Sequence, residues 1–328
     1  MKGGGFSILR SSERIGEIDA LRGLAIILVL VMHLYWLGQY FPITLFGVPI
    51  FVFVSGLALT YTYKNRLDLA RYAKKRVLFV GLPYLFWSAM LMVVQNPNNC
   101  LNSPLQALET YLDYTFNGRW LTLWFVYMIF QFYIIFPFLL EFYKRLTVQL
   151  RNFLVLATMC FSSIYFVVFE RSFGVIVNLH LSTWIFYFVL GMAIGYNWEK
   201  VSSSLSLKKE FVLLAIVLYG IFVYFIPTLT ELPFILPSFS YATLFVLWGG
   251  TITIIVFLVI FSNWKRTPFR ILGAFSFGIF LTHRILMTAF VGLSCQILVI
   301  PIISIGLVWL LWKIPYSEYI IGKKISWK

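Results

Sequence analysis

The chain has 328 residues, of which 61% are hydrophobic and 12% are charged. Soluble domains carry about twice that share of charged residues, so the composition excludes a soluble globular protein and predicts a polytopic membrane protein. The formal net charge of +14 would suit nucleic acid, but the basic residues form short clusters between apolar runs. Such clusters are typical topology signals, and we therefore exclude a nucleic-acid partner.

Ten apolar runs follow one another along the chain, and runs of about 17 to 25 residues are long enough to cross a bilayer as helices. The first run is interrupted early by Asp19 and Arg22 and no small-residue cleavage pattern follows it, so we interpret it as a retained helix and not a signal peptide. The predicted fold is an all-α, polytopic transmembrane helix bundle that forms one domain over residues 1–328. The predicted spans lie near residues 18–38, 43–62, 77–95, 121–140, 152–169, 179–197, 211–227, 239–261, 271–291 and 295–313.

The basic residues predict the orientation of these spans. With ten spans, all of the 26 basic residues except Arg22, Arg119, Arg171 and Arg284 fall on the side that holds the N-terminus. Lys and Arg concentrate in cytoplasmic loops, so we expect both termini in the cytoplasm. The longest external connection, residues 96–120, is expected to form a short cap over the outer face.

Arg22 and His33 stand eleven residues apart inside the first predicted span. Eleven residues make three helical turns plus about 20°, with a rise of roughly 16 Å, so both groups share one face at different depths. Ionisable groups inside a membrane helix are costly, and a functional site is their default interpretation.

Depth along the other spans groups the polar residues into two levels. The second span runs inward, which returns Ser55 and Gly56 to the depth of Arg22. The ninth span runs outward from Arg270, which brings His283 to about the depth of His33. We therefore expect an inner level near the cytoplasm and an outer level that holds two histidines.

Each group also has a structural explanation. Arg22 could extend to the cytoplasmic interface or pair with Asp19 one turn away. His33 could form a hydrogen bond between helices, and small residues such as Ser55 and Gly56 could let helices approach closely. The basic run at residues 71–76 could be a topology anchor, and the three cysteines, Cys100, Cys160 and Cys295, indicate neither a disulfide framework nor a metal site.

Several ordered motifs resemble those of the integral-membrane acyltransferase 3 family, whose members O-acylate envelope saccharides. Residues 19–23 (DALRG) followed by His33 are similar to the family's R-x10-H signature, and residues 47–56 (GVPIFVFVSG) resemble its G-V-x-x-F-F-x-x-S-G motif, with Val52 in place of the second Phe. Residues 71–76 (RYAKKR) resemble its basic stretch, with Lys74 where the family has a second arginine. Further landmarks are residues 123–126, 191–196 and 276–283, so the resemblance spans nearly the whole chain.

The resemblance implies transfer of an acyl group, most often acetyl, from cytoplasmic acyl-CoA to a hydroxyl of an envelope or lipid-linked saccharide. It places the protein, surrounded by membrane lipid, in a bacterial plasma (inner) membrane, with acyl-CoA as the donor and no metal. The candidate residues implied are His33, Arg22 and Asp19 for catalysis; Arg22, Ser55, Gly56, Arg71, Lys74, Lys75 and Arg76 for CoA; and His283, Arg284 and Trp124 on the substrate side.

His33 is the expected general base, because imidazole titrates near neutral pH. A catalytic histidine is usually oriented by a second group, yet Asp19 lies about 21 Å below His33 along the helix. His283, a backbone carbonyl or the external connection remain the alternatives. We also expect the cavities at the two levels to connect.

A transporter or flippase of saccharide lipids is the rival interpretation, because it too would use buried basic residues along a polar path through a bundle. A purely structural scaffold would leave the buried arginine and histidine unexplained.

Overall fold

The computed structural model describes residues 15–33, 42–120, 123–173, 178–205, 210–214, 216–219, 238–263, 268–289 and 296–322. Every regular element within these ranges is helical, so the prediction of an all-α bundle is confirmed. Both termini, the end of the first predicted span beyond residue 33 and most of the seventh lie outside the described residues. The count of ten spans and the cytoplasmic placement of the termini stay predictions.

Fourteen α-helices, one 3-10 turn and one π turn have both ends within the described residues, and residues 210–214 and 216–219 are also helical. The 3-10 turn is Pro42–Phe46 and the π turn is Val77–Gly81. The α-helices are α1 (Gly16–His33), α2 (Gly47–Tyr63), α3 (Leu69–Arg76), α4 (Leu82–Gln95), α5 (Pro97–Asn102), α6 (Pro104–Phe116), α7 (Trp124–Arg145), α8 (Val148–Phe173), α9 (Leu181–Tyr196), α10 (Trp198–Ser204), α11 (Ser238–Asn263), α12 (Pro268–Ala289), α13 (Gln296–Trp312) and α14 (Glu318–Ile321).

Four helical stretches of the described residues are long and apolar enough to cross a membrane. They are Thr44–Tyr63, Leu69–Gln95, Trp124–Arg145 and Pro268–Thr288, and each coincides with a predicted span. Their many exposed Leu, Ile, Val and Phe side chains suit a lipid surround, in which apolar surface needs no protein cover. The protein is a helical membrane protein.

The centre of the bundle is built on close approaches between helix backbones. α1 packs against α12 and α2, and α2 packs against α9. At the α2–α9 contact a Cβ added to Gly56 would overlap the carbonyl oxygen of Phe188, and one added to Gly191 would overlap that of Phe53. Small residues that allow such contacts are the usual means by which membrane helices associate.

The external connection does not form the expected cap over the outer face. α6 runs back along α4 instead: Tyr84 donates its hydroxyl to the Thr115 carbonyl at 2.8 Å, and Tyr111 donates to the Leu85 carbonyl at 3.0 Å. Tyr84 lies eleven residues before the end of α4, a depth of about 16 Å along the helix axis. These hydrogen bonds satisfy polar groups that a bilayer would leave without partners.

The described C-terminal segment closes one side of the bundle between α4 and α12. Trp87 donates its indole N–H to the Ile320 carbonyl at 2.9 Å, and the rings of Phe79 and Tyr319 stack at 5.7 Å. Gly322 has φ +78° and lies against the Phe277 ring. Only glycine fits this position, because the conformation is left-handed and a Cβ would meet that ring.

Candidate functional site

Two adjoining cavities open at the level that the sequence predicts to be the inner half of the bundle, with volumes of about 280 and 400 Å³. Their linings share Arg22, Ser55, Lys75, Arg76 and Tyr133, which come from α1, α2, α3 and α7. We call the two together the inner cavity. It brings Arg22 and Ser55, two of the three inner-level residues predicted from depth, into one cationic space.

Arg22 lines both parts of the inner cavity and also forms the predicted pair with Asp19. Its Nη1 donates to Asp19 Oδ1 at 3.2 Å. Asp19 is 6% exposed and lines the smaller part. Ion pairing and a place in the cavity are therefore compatible, because the buried carboxylate orients the guanidinium beside the open space.

Arg76 is held at the end of α3, where the helix passes into the π turn. Its guanidinium lies over the rings of Tyr72 and Tyr133, at 5.5 and 5.1 Å from their centroids. Cation–π contacts of this length fix a cation without neutralising it. The Arg76 Nε is buried and none of the described residues accepts a hydrogen bond from it, so this donor suits a ligand.

The basic run divides into two groups. Lys75 and Arg76 line the inner cavity, whereas Arg71 and Lys74 line neither part, although Lys75 is exposed like these two. Arg71 instead lies 3.9 Å from Asp68, the carboxylate that caps α3. This geometry favours the topology-anchor alternative for Arg71 and Lys74 over a direct contact with a bound donor.

Ser55 and Gly56 also face different surroundings. Ser55 lines both parts of the inner cavity, and its hydroxyl donates to the Phe51 carbonyl at 2.8 Å. Gly56 faces α9, where it contacts the backbone of Phe188. The packing explanation fits Gly56, and a direct cofactor contact does not.

The far end of the larger cavity is apolar. Phe51, Phe125 and Phe280 line it together with Ile129, and the three phenyl rings contact one another. Their centroids are 5.7 Å apart for Phe51 and Phe125, 5.4 Å for Phe125 and Phe280, and 6.4 Å for Phe51 and Phe280. We call these three residues the phenyl layer.

The two histidines meet beyond the phenyl layer. The rings of His33 and His283 have centroids 5.3 Å apart, and the His283 ring lies 5.5 Å from that of Phe280. The juxtaposition that depth along α1 and α12 predicts is therefore present. The predicted connection stays a prediction: among the described residues neither part of the inner cavity is lined by either histidine, and the Phe280 ring, which lines the larger part, contacts that of His283.

The hydrogen bond of His283 defines its tautomer. His283 is fully buried and its Nδ1 lies 2.6 Å from the Phe280 carbonyl oxygen. A carbonyl only accepts, so Nδ1 carries the proton and Nε2 of the neutral ring carries a lone pair. That Nε2 is buried and has no hydrogen-bond partner among the described residues, which leaves a proton acceptor on the ring that contacts His33.

Arg284 and Trp124 are the other two residues predicted on the substrate side. Arg284 follows His283 on α12, and its Nε is buried without a hydrogen-bond partner among the described residues. Trp124 packs between Trp184 and Phe125, at 6.4 Å from each. Arg284 is therefore next to His283 in the chain, whereas Trp124 contacts a ring of the phenyl layer.

Sequence reasoning missed Tyr133 and the phenyl layer. Phe125, Ile129 and Tyr133 recur every four residues, which places them on one face of α7, and all three line the larger cavity. That spacing was a possible signal. It is hidden in a helix that is apolar on every face, because lipid-facing residues are as hydrophobic as cavity-facing ones.

In a comparison with known proteins, residues 15–314 match the family profile of acyltransferase 3, which is described as an acyltransferase domain. The chain therefore belongs to the acyltransferase 3 family. It is 26% identical over 309 residues to the "Probable poly-beta-1,6-N-acetyl-D-glucosamine export protein" of Staphylococcus aureus (strain MRSA252), which covers 86% of this chain and 84% of that protein.

A protein of the same name from Staphylococcus epidermidis is 29% identical over 163 residues, which is 45% of this chain and 44% of that protein. No solved structure matches significantly.

Proposed function

We propose that this member of the acyltransferase 3 family is a membrane-embedded O-acyltransferase of a bacterial plasma membrane. It moves an acyl group, acetyl in the first instance, from cytoplasmic acyl-CoA to a hydroxyl of an envelope or lipid-linked saccharide. One observation carries the proposal: a cationic cavity in the inner half of the bundle and a histidine pair in its outer half lie on opposite sides of a single layer of side chains.

The inner cavity suits an acyl-CoA in charge and polarity. Arg22, Lys75 and Arg76 supply the cationic end, and Arg and Lys bind phosphate oxygens through charge-assisted hydrogen bonds. The opposite end is apolar, as a thioester and its acyl group require. The rise of roughly 16 Å from Arg22 to His33 is of the same order as a pantetheine arm, which would join the two ends.

The histidine pair supplies the base. His33 takes the proton of the acceptor hydroxyl while that oxygen attacks the thioester carbonyl. The C–O ester bond forms, the C–S bond breaks, and the proton on His33 neutralises the departing CoA thiolate. His283, held through Nδ1 by the Phe280 carbonyl, directs its Nε2 lone pair at this region and would orient His33, directly or through water.

The proposal of a saccharide acceptor rests on the two relatives, because the names of both refer to poly-beta-1,6-N-acetyl-D-glucosamine. A saccharide hydroxyl is a weak nucleophile that needs a base, and the described outer site offers imidazole for that role. Trp124 and Arg284 give this side an aromatic surface and a cation for the acceptor.

Saccharide transport is the second candidate, and the word "export" in the relatives' names favours it. A transporter would move saccharide across a bilayer without consuming acyl-CoA. The cationic cavity would then bind an anionic group of the transported molecule.

Purified protein in detergent separates the two candidates. We expect transfer of radiolabel from [acetyl-14C]acetyl-CoA to a poly-N-acetylglucosamine oligomer, with loss of transfer in His33→Ala. The same protein reconstituted in vesicles is tested for uptake of labelled oligomer without acyl-CoA. Uptake without acetyl transfer would replace the enzyme proposal with the transporter.

A further inference from the structure

The phenyl layer lies across the route from the inner cavity to the histidine pair. Phe51 is one turn outward of Ser55 on α2, and Phe280 is one turn before His283 on α12. Phe125, from α7, contacts both rings. Three helices that are distant in sequence thus contribute one phenyl ring each, at the depth where the cavity ends.

The rings are packed too closely to leave a channel between them. All three pairs meet at steep angles, 46°, 65° and 71°, with centroids 5.4 to 6.4 Å apart. These values are typical of aromatic rings in direct contact. Any group that passes from the cavity to the histidines must therefore pass these side chains.

The three rings are not equally confined. All three border the cavity, but Phe125 and Phe280 are buried, with 7% and 4% of their surface exposed, whereas Phe51 is only partly buried. A side chain beside open space can change rotamer without displacing its neighbours, which close packing otherwise prevents. Phe51 is the ring with room to move.

We propose that Phe51, Phe125 and Phe280 form an aperture that selects the donor by the size of its acyl group, with Phe51 as its moving member. The inference rests on the proposed function and adds the residues that restrict the donor to short acyl groups. A short acyl group fits beneath the rings and passes when Phe51 turns aside. Each added methylene needs space that the rings occupy, and forcing extra methylenes into a packed site is unfavourable.

The test uses the purified full-length protein and a series of straight-chain acyl-CoAs from acetyl to octanoyl. Binding is measured by competition with radiolabelled acetyl-CoA, and transfer is measured separately with the saccharide oligomer. For the wild type we expect the binding affinity and the transfer rate to fall steeply as the acyl chain lengthens. In Phe51→Ala we expect longer chains to bind, with affinity rising about fourfold for each methylene that gains apolar cover, and the longest chain transferred to increase.

Two further variants make the result specific. Phe51→Trp enlarges the moving ring, and we expect it to exclude chains that the wild type accepts. Phe132→Ala is the matched control: Phe132 is fully buried on the same helix as Phe125, stacks on Phe188 at 4.4 Å, and lines neither cavity. It removes an equal volume elsewhere and is expected to leave the chain-length profile unchanged.

The outcomes separate this inference from the proposed function. If the wild type binds and transfers acetyl but Phe51→Ala keeps its chain-length profile, the aperture is wrong and the enzyme proposal stands. If the wild type binds no acyl-CoA, the proposed function fails and the aperture with it. Should Phe51→Ala not yield folded protein, Phe51→Leu and Phe125→Leu are scored by the same profile.

Discussion

His33 ends α1 and His283 lies in the last two turns of α12, with ring centroids 5.3 Å apart, and Nδ1 of His283 donates to the Phe280 carbonyl. Two helices separated by more than two hundred residues of chain thus place two imidazoles together next to the phenyl layer. Among the described residues no group bonds to the buried Nε2 of His283, so under the proposed function this ring would orient His33 as a carboxylate often orients a catalytic histidine.

Replacing His33 by Ala should remove the base and leave the protein in the membrane. General base catalysis contributes about 10²- to 10⁴-fold in rate, so we expect kcat for acetyl transfer to fall by that order. His180→Ala is the matched control, because His180 is exposed and its nearest aromatic contact is Tyr165 at 6.4 Å. Turnover near that of the wild type in His33→Ala would end its assignment as base.

His283 should act through orientation, and two substitutions separate this role from structure. An Asn side chain at position 283 can still donate to the Phe280 carbonyl but has no group at the position of Nε2. A Phe side chain there has neither the donor nor the acceptor. By analogy with residues that orient metal-bound histidines, we expect His283→Asn to lower kcat by about 10- to 100-fold with little change in KM. If Asn supports full turnover while Phe does not, the contribution of His283 is structural only.

Lys75 and Lys74 are neighbours in sequence that differ in position. Both are exposed, but Lys75 lines the inner cavity and Lys74 does not. A hydrogen bond to a charged group contributes about 1.5–3 kcal/mol, so Lys75→Ala should raise the KM for acyl-CoA by roughly 10- to 100-fold. Lys74→Ala should raise this KM clearly less. Equal increases in the two variants would show that a position in the cavity lining does not determine which lysine binds acyl-CoA.

Asp19 should affect donor binding and not the chemical step. It pairs with Arg22 at the inner cavity and lies about 21 Å from His33 along α1. We expect Asp19→Asn to raise the KM for acyl-CoA, because Arg22 loses the carboxylate that orients it. A fall in kcat as large as that of His33→Ala, with KM unchanged, would instead place Asp19 in the catalytic machinery.

Gly56→Ala should destabilise the bundle. The added methyl group would overlap the Phe188 carbonyl oxygen, and overpacking of this kind costs about 1–3 kcal/mol or more. We expect a lower Tm in detergent, with the acyl-CoA KM of the folded fraction unchanged. The matched control is Gly306→Ala, because no atom lies within 4 Å of a Cβ added there. An unchanged Tm with a raised KM would return Gly56 to the cofactor site.

The sequence by itself determined the membrane class, the helical fold and the depth of each polar group. Lipid permits few backbone conformations, and ionisable residues within apolar runs are rare enough to stand out. The rise of about 1.5 Å per residue is fixed, so counting from the ends of α1 and α12 was enough to place His33 and His283 at one level.

Only the tertiary structure decided how each helix is rotated about its axis. It turned Lys75 and Arg76 into the cavity and Lys74 away, Gly56 towards α9, and one phenyl ring from each of α2, α7 and α12 into a common layer. Rotation depends on contacts between helices that are distant in sequence. In a membrane bundle the outer face is as apolar as the core, so hydrophobic periodicity carries no comparable signal of which face points inward.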